Sequence, residues 1–479
     1  MTPPSSPSAT PPRSRALPAS VLCLLALTFL GLSVLQQWGY LSPTAIILAV
    51  VSLGLVLLAL AKWNRRRWEP SRSWWALFVT VTGLSNLLYL RFPEWIGVHW
   101  SGQRDLAVAV LAVTMTAAAT MVTVLPYRRA GTALIATAGL YIGLVAATWS
   151  DWGNAHNDVF QAVTGATSAL LHGTNPYGPL FIYFAQTHTV TAHFVYGPIV
   201  PVLAAPGWFL GDVRVMLVAA VAAMVAGLWM LGRQGSQAES AHRIVALALV
   251  SPLSVAMIHE AWVELYLVAG VVLWLALRQR HRHWAIASLA VAMLVTPITL
   301  VVVVPAFVWS RRARIEAVIA AIAAALFALP FALVTGIGAI IYDVIGFQLS
   351  LPPRYDSLTL TSAVWQLWRW GLPSWLPVAA IAVAVVFIIS RRPPRNQGEV
   401  AALAAVMVFA TFLVAKWAYF NYYFVAAAML LVTMASASIP FSTGDVALPD
   451  PRSLFTLHKA RTSLTSTSSG VTEAVLPRS

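Results

Sequence analysis

The sequence predicts an all-α fold. It reads as a polytopic membrane protein of about 13 or 14 transmembrane helices, with an interfacial amphipathic helix in the first long outer loop. Three observations predict it. Of 479 residues, 59% are apolar and only 10% are charged, where soluble domains carry about a quarter charged. The mean hydropathy of +0.77 comes from long Ala-, Val- and Leu-rich runs that lack the polar face water demands of a soluble helix. The basic residues fall in short loops between those runs, which is how orientation in a bilayer is encoded.

Thirty Lys and Arg against 16 Asp and Glu give a formal net charge of +14. In a soluble chain that surplus would point to nucleic acid. Its confinement to inter-span loops removes a nucleic-acid partner and leaves the lipid bilayer as the surroundings. Cys23 is the one cysteine, which forbids an intramolecular disulfide and any Cys-based metal site.

Residues 1–18, rich in Pro and Ser and without apolar period, read as a disordered tail. The tail is too Pro-rich for a signal-peptide n-region and no clear cleavage site follows, so the first span is expected to be retained. A span needs about 20 apolar residues. Candidates run over 19–37, 44–61, 74–90, 105–125, 131–149, 195–210, 213–231, 244–260, 262–277, 284–309, 315–333, 374–390, 399–415 and 422–438. Thr296-Pro297 inside 284–309 allows a pair of short helices in place of one kinked span. From 439 onward the composition returns to that of a disordered tail. No period of 20–50 residues repeats, which weakens a transporter built from inverted repeats.

Basic loops fall at Lys62–Arg72, Arg128-Arg129, Arg233 and Arg243, Arg278–Arg282, Arg311–Arg314 and Arg391–Arg395; the charge rule places them in the cytoplasm. No Lys or Arg occurs from Ala130 to Val213, so the polar connection 150–194 inside that window is expected outside. One conflict follows. Three apolar runs (131–149, 195–210, 213–231) separate the basic loops at 128 and 233, and matching sides require an even number. Either 195–210, with Pro198, Pro201 and Pro206, fails to cross, or one loop breaks the rule.

The 150–194 connection is long enough to be functional and too aromatic for disorder. Within it, Val159, Phe160, Val163, Ala166, Leu170 and Leu171 recur at helical spacing with Gln161, Thr164, Thr167 and Ser168 opposite. This predicts a helix from Asp158 to His172, capped by Asn157 and ended by Gly173. Asp151 and Asp158 are its only acids. At a membrane surface such an aspartate suits a general base with a pKa raised by partial desolvation. The plainer alternative is a solvated loop acid that favours the first helical turn. His156, His172, His188 and His193 share the loop without a recognised ligand spacing, so no metal site and no cofactor is expected. Asn175 to Pro179, including Tyr177, and Tyr196-Gly197-Pro198 are rigid aromatic turns. They either end the helix and start the next span or line a sugar or prenyl-phosphate pocket.

These residues together resemble a family. An Asp-led helix (Asn157-Asp158-Val159-Phe160) precedes Leu170-Leu171-His172-Gly173-Thr174-Asn175-Pro176-Tyr177 and a Tyr-Gly-Pro start at Tyr196. This order is similar to the first outer loop of membrane glycosyltransferases of the GT-C fold, above all the actinobacterial-type mannosyltransferases that use polyprenyl-phosphate-mannose. Further stretches agree with it. They are Ser251-Pro252 with Ile258-His259-Glu260 and Glu264, Arg354-Tyr355-Asp356-Ser357-Leu358, and Lys416-Trp417-Ala418-Tyr419-Phe420-Asn421-Tyr422-Tyr423. The family often carries Lys-Pro between its hairpin helices; here it is Thr296-Pro297, so one phosphate contact is missing or moved.

The resemblance covers 131 to about 438 and divides the chain. It implies tails at 1–18 and 439–479, an N-terminal four-helix membrane segment at 19–130 without an assigned task, and a GT-C-like catalytic domain at 131–438. It implies a hexosyltransferase in the cell membrane with an extracytoplasmic active site. A sugar, expected to be mannose, passes from a polyprenyl-phosphate donor to a hydroxyl of a lipid or glycan acceptor with inversion, and Asp158 deprotonates the acceptor.

Asp151, Tyr177, Tyr196, His259, Glu260 and Glu264 are the expected substrate-binding groups. Glu260 and Glu264, four apart, would share a helix face, the alternative being acids in the headgroup zone. Arg354 and Lys416, cations in otherwise low-cation outer segments, are expected to hold the donor phosphate; for Lys416 the alternative is snorkelling at a span end. Arg369, among Trp365, Trp368 and Trp370, reads as part of an aromatic belt. The competing function class is a secondary transporter or flippase in which the same acids relay protons or bind a cation. Such a protein should place them at the bilayer midplane on broken helices.

Overall fold

A computed structural model describes residues 19–436 apart from 38, 63–69, 91–101, 150–157, 186–187, 235–237, 391–393 and 395. Asp151, His156, Asn157 and both tails therefore lie outside the described residues. Among these, six helices are long and apolar enough to cross a membrane, or seven if one bent pair counts as a single span. The chain has the character of a membrane protein.

The first five helices, α1 (Ala19–Gln37), α2 (Pro43–Lys62), α3 (Arg72–Leu90), α4 (Gly102–Val124) and α5 (Tyr127–Trp149), follow the predicted spans closely. Their packing is tied by hydroxyls that reach across helices in an apolar interior. Ser33 donates to the Ala45 carbonyl at 2.6 Å, Ser52 donates to that of Ala26 at 2.7 Å, and Thr80 bonds Thr120 at 2.8 Å.

Next come α6 (Asp158–Leu171), β1 (Pro179–Ala185), β2 (His188–His193) and α7 (Ile199–Phe209). Helix α6 matches the predicted bounds and buries Val159, Ala162, Val163 and Ala166. Thr167, expected on the polar side, is buried too, its hydroxyl turned back onto the Val163 carbonyl at 2.7 Å. Gly173 ends the helix in the left-handed region, at φ +69°.

The all-α expectation meets one exception here. β1 and β2 form an antiparallel hairpin in which Ala185 pairs with His188 and Pro179 with His193. Ile182 and Tyr183, paired with Thr191 and Val190, and Phe181 and Phe184 beside them are β-formers that the turn-based reading passed over.

The remaining elements are α8 (Val215–Gln234), α9 (Ala238–Val250), α10 (Pro252–His259), α11 (Glu264–Leu277), α12 (Arg282–Met293), α13 (Ile298–Trp309), α14 (Arg311–Thr335), α15 (Ile337–Ile341), a π-helical turn Tyr342–Gly346, α16 (Phe347–Ser350), α17 (Leu360–Trp368), α18 (Leu376–Ser390), α19 (Gln397–Leu413) and α20 (Phe420–Ser436). Start signals are local. Ser310, Thr359 and Asn396 accept the N–H groups of Ala313, Ser362 and Glu399 at 3.1, 3.0 and 2.8 Å. Pro252 breaks the α9–α10 run with a 49° bend. Asn86 of α3 donates to the Val250 carbonyl at this break, at 2.8 Å.

Among the described residues, Arg72, Tyr127, Arg243, Arg278 and Arg312 of the basic loops gather at one end of the bundle. Arg72 and Arg243 both meet Glu239, at 3.4 and 2.8 Å, and Tyr127 stacks on His242. Arg278 and Arg312 both meet the buried Glu316, at 3.1 and 2.9 Å.

Two candidate spans do not run between the ends. Helix α7 starts beside Tyr196 and leads into Arg214, whose guanidinium binds the His259 carbonyl at 3.2 Å, so both its ends lie at the end opposite the basic loops. Only α5 and α8 then connect the basic segments at 128 and 233, and the parity conflict disappears. With 11 residues α7 is about 16 Å long, too short for a bilayer core of about 30 Å. The 284–309 stretch is likewise a pair of short helices. It leaves the basic end at Arg282 and returns to Trp309, over whose ring the Arg278 guanidinium lies at 4.2 Å. The expected count of 13 or 14 crossings included both stretches.

The turn between α12 and α13 meets Gly197, whose N–H donates to the Val295 carbonyl at 2.9 Å. A Cβ on Gly197 would stand 1.8 Å from the Leu294 carbonyl oxygen. Backbone cannot swing aside as a side chain does, so Gly197→Ala should destabilise the fold by about 1–3 kcal/mol. Thermal unfolding in detergent should show a clear drop in Tm; an unchanged Tm would contradict this contact.

Candidate functional site

At the end opposite the basic loops, three segments distant in sequence are laced together by backbone hydrogen bonds. Leu41 N donates to Asp356 O at 2.7 Å and Leu358 N to Gly39 O at 2.8 Å, making an antiparallel bridge of Tyr40 with Ser357. Arg354 N donates to Lys416 O at 3.0 Å, and the Tyr423 hydroxyl donates to Leu358 O. Gly39 is required at this crossing. Its φ is +79°, and a Cβ there would lie 2.6 Å from Phe420 N.

The lacing fixes a cluster of side chains. Arg354 forks onto Asp356 at 3.1 and 2.8 Å, and its guanidinium lies 5.4 Å above the Tyr419 ring. Tyr40 meets Tyr419 edge-on at 5.6 Å. The N-terminal helical segment, to which sequence analysis assigned no task, thus supplies Tyr40 to the cluster.

Asp158 opens α6 within electrostatic reach of this group. Its side chain is exposed, yet burial is the largest influence on it and pushes its pKa above the ordinary aspartate value. The Val159 N–H, its own backbone N–H and the positive charge of Arg354 oppose the rise, while the negative charge of Glu260 adds to it. Tyr40, Tyr196 and Tyr422 also feel the charge of Asp158.

Glu260 comes from the turn after α10. Its carboxylate stands 3.9 Å from His259 Nδ1 and keeps 20% exposure, whereas the His259 side chain is buried. Ala261, a non-glycine at φ +56°, reverses the chain there, a conformation of the kind that recurs at functional sites.

The residue that orders these pieces was missed by sequence analysis. Arg214 is fully buried and binds Asp212 through Nε and Nη2, the closest contact being 2.7 Å. It donates to the His259 carbonyl and lies 4.5 Å from the Phe160 ring centre. One guanidinium thereby joins the start of α8, the end of α10 and the first turn of α6. Asp212 and Arg214, two apart after Gly211, were the available signal; Arg214 stands one residue beyond the cation-free window.

Of the other predicted residues, Tyr177 and Tyr196 are buried, and the Tyr177 hydroxyl donates to the Tyr196 carbonyl at 3.1 Å; burial raises both phenol pKa values, and Tyr196 also feels the charges of Glu264 and Asp158. Glu264 is sealed in the interior at 2% exposure. Lys416 gives its ammonium to the Leu349 and Leu351 carbonyls at 2.8 and 2.6 Å, fastening the end of α16, and burial lowers its pKa.

A second unanticipated group is Asp343 in the π-helical turn. It accepts the Gly178 N–H and stands 2.9 Å from His193 Nδ1, clamping the base of the hairpin. Among the described residues no three His, Cys, Asp or Glu side chains come together as metal ligands. An apolar cavity lined by Leu27, Gly31, Leu35, Val81, Ser251 and Leu253 holds none of the site residues.

Removing one member of a buried ion pair costs about 3–5 kcal/mol. Arg214→Met should lower stability on that scale, and the double variant with Asp212→Asn should cost less than the sum of the singles. Strictly additive losses in detergent unfolding would contradict the bridging role.

No family of known proteins, no curated protein and no solved structure matches this chain.

Proposed function

We propose that the protein is a membrane glycosyltransferase. It transfers a sugar, mannose by resemblance, from a polyprenyl-phosphate donor to an acceptor hydroxyl on the extracytoplasmic face of the cell membrane. The observation that carries the reading is the grouping of Asp158 with Arg354 and Glu260 at one end of the bundle. There an accessible, desolvated carboxylate at a helix start shares its surroundings with Arg354 and Glu260. In this reading α6 and the hairpin lie at the membrane interface, and the basic end faces the cytoplasm.

Asp158 acts as the general base. Its pKa, raised toward the working pH, makes it a stronger proton acceptor than an ordinary aspartate. The phosphate of the donor is a good leaving group, so cationic support is needed there more than an acid. Arg354 suits that role. It is half-exposed, and Asp356 and Tyr419 hold its planar fork in one orientation. The acceptor hydroxyl attacks the anomeric carbon, its proton passes to Asp158, and the sugar–phosphate bond breaks with inversion. The new glycosidic bond and the released polyprenyl phosphate balance the exchange.

The deciding experiment incubates membranes containing the protein with labelled polyprenyl-phosphate-mannose and follows the label into lipid or glycan. Asp158→Asn should abolish transfer, and full activity in that variant would remove the assignment. The sign of its pH effects is defined. Catalysis needs the carboxylate, so kcat should rise with pH through the raised pKa. Folding works the other way: the ionised form is disfavoured in the folded state, so stability is highest below the unfolded-state pKa and falls as pH rises through the folded one. Asp158→Asn should therefore equal or exceed the parent Tm at neutral pH. Arg354→Ala should raise the donor KM by about tenfold or more, the cost of one charged hydrogen bond; an unchanged donor KM would reject the phosphate role.

A further inference from the structure

Near Tyr196 and Tyr422, α11 and α20 bury two polar side chains whose bonding capacity is unmet. Glu264, 2% exposed, opens α11; Asn421, fully buried, lies in the first turn of α20. The Asn421 amide donates to Glu264 Oε1 at 2.9 Å. Among the described residues, Glu264 Oε2 and Asn421 Oδ1 have no hydrogen-bond partner. The side-chain partners of Glu264 are that neutral amide and its own backbone N–H. Tyr196 and Tyr422 stand within electrostatic range of it.

Asn421 Oδ1 is an acceptor, and so is Glu264 Oε2 in its ionised form, so the missing partner is positive or a donor. Burial disfavours a bare carboxylate here, its own N–H and the Asn421 amide offset only part of that, and the remaining charge calls for a proton or a cation. Oxygen donors exclude soft metals. One carboxylate supplies a single negative charge, less than the several carboxylates that Ca2+ sites assemble. The place also fits: Glu264 follows the turn that ends the bent α9–α10 pair, and broken helices end at alkali-cation sites in other membrane proteins.

We infer that Glu264 and Asn421 form a monovalent-cation site, with Glu264 Oε2 and Asn421 Oδ1 ligating Na+ or K+ between α11 and α20. The cation would pin the segment that carries Glu260 to the segment that carries Tyr419. The inference stands apart from the transferase reading, because its readout is unfolding and not sugar transfer.

The test is thermal unfolding of the full chain in detergent at fixed pH and ionic strength, with choline chloride replaced stepwise by NaCl or by KCl. One of the two salts should raise Tm by about 2 °C or more per tenfold increase above half-saturation. Glu264→Gln, isosteric and uncharged, should remain folded and lose that rise. Asn421→Asp, which adds a second carboxylate, should lower the half-saturating concentration several-fold, and it decides the matter if Glu264→Gln does not fold. Equal Tm values in choline, sodium and potassium would overturn the inference. So would a rise that survives in Glu264→Gln, or a Tm that follows pH but no cation, which would identify a proton as the occupant.

Discussion

A buried guanidinium holds this end of the protein together. Arg214 has left water entirely, so its charge must be met inside, and Asp212 meets it along two edges of the fork. What remains of its donor capacity goes to the His259 carbonyl, and its flat face goes to Phe160. An arginine can serve three directions at once because its donors are planar and fixed. The start of α6, the turn that carries Glu260 and the start of α8 are therefore held relative to one another, and Asp158 inherits its place from that arrangement.

The same economy governs the opposite wall. The 39–41, 354–358 and 416–423 segments are joined by main-chain hydrogen bonds, which hold position more tightly than long side chains. Onto that frame are mounted Tyr40, Arg354, Asp356 and Tyr419. The carboxylate at Asp158 faces this wall under opposed influences: desolvation and Glu260 favour the protonated form, backbone N–H groups and Arg354 the ionised one.

Much of the helical layout was legible. Apolar runs and Gly173 as a stop are local signals, and they place α1 to α6 and many later helices close to their bounds, whereas the single span expected over 244–260 is broken at Pro252. The hairpin was less so, since Pro and Gly around 176–179 drew attention to turns and away from the alternating β-formers that follow. Helix α7 shows the limit most clearly. Its composition is that of a span, and only its contacts at both ends reveal that it starts and finishes on the same side.

By itself the sequence determined the membrane character and the helical period of α6, because each depends on composition or on residues within a few turns of one another. The tertiary structure alone decided that Arg214 meets α6, that Tyr40 meets Tyr419, that Asp343 meets the hairpin, that Lys416 fastens a helix end, and that Glu264 is sealed against Asn421. The physical reason is distance along the chain. A side chain's partner is set by which helix ends meet, and helix ends separated by a hundred residues carry no record of one another in local pattern.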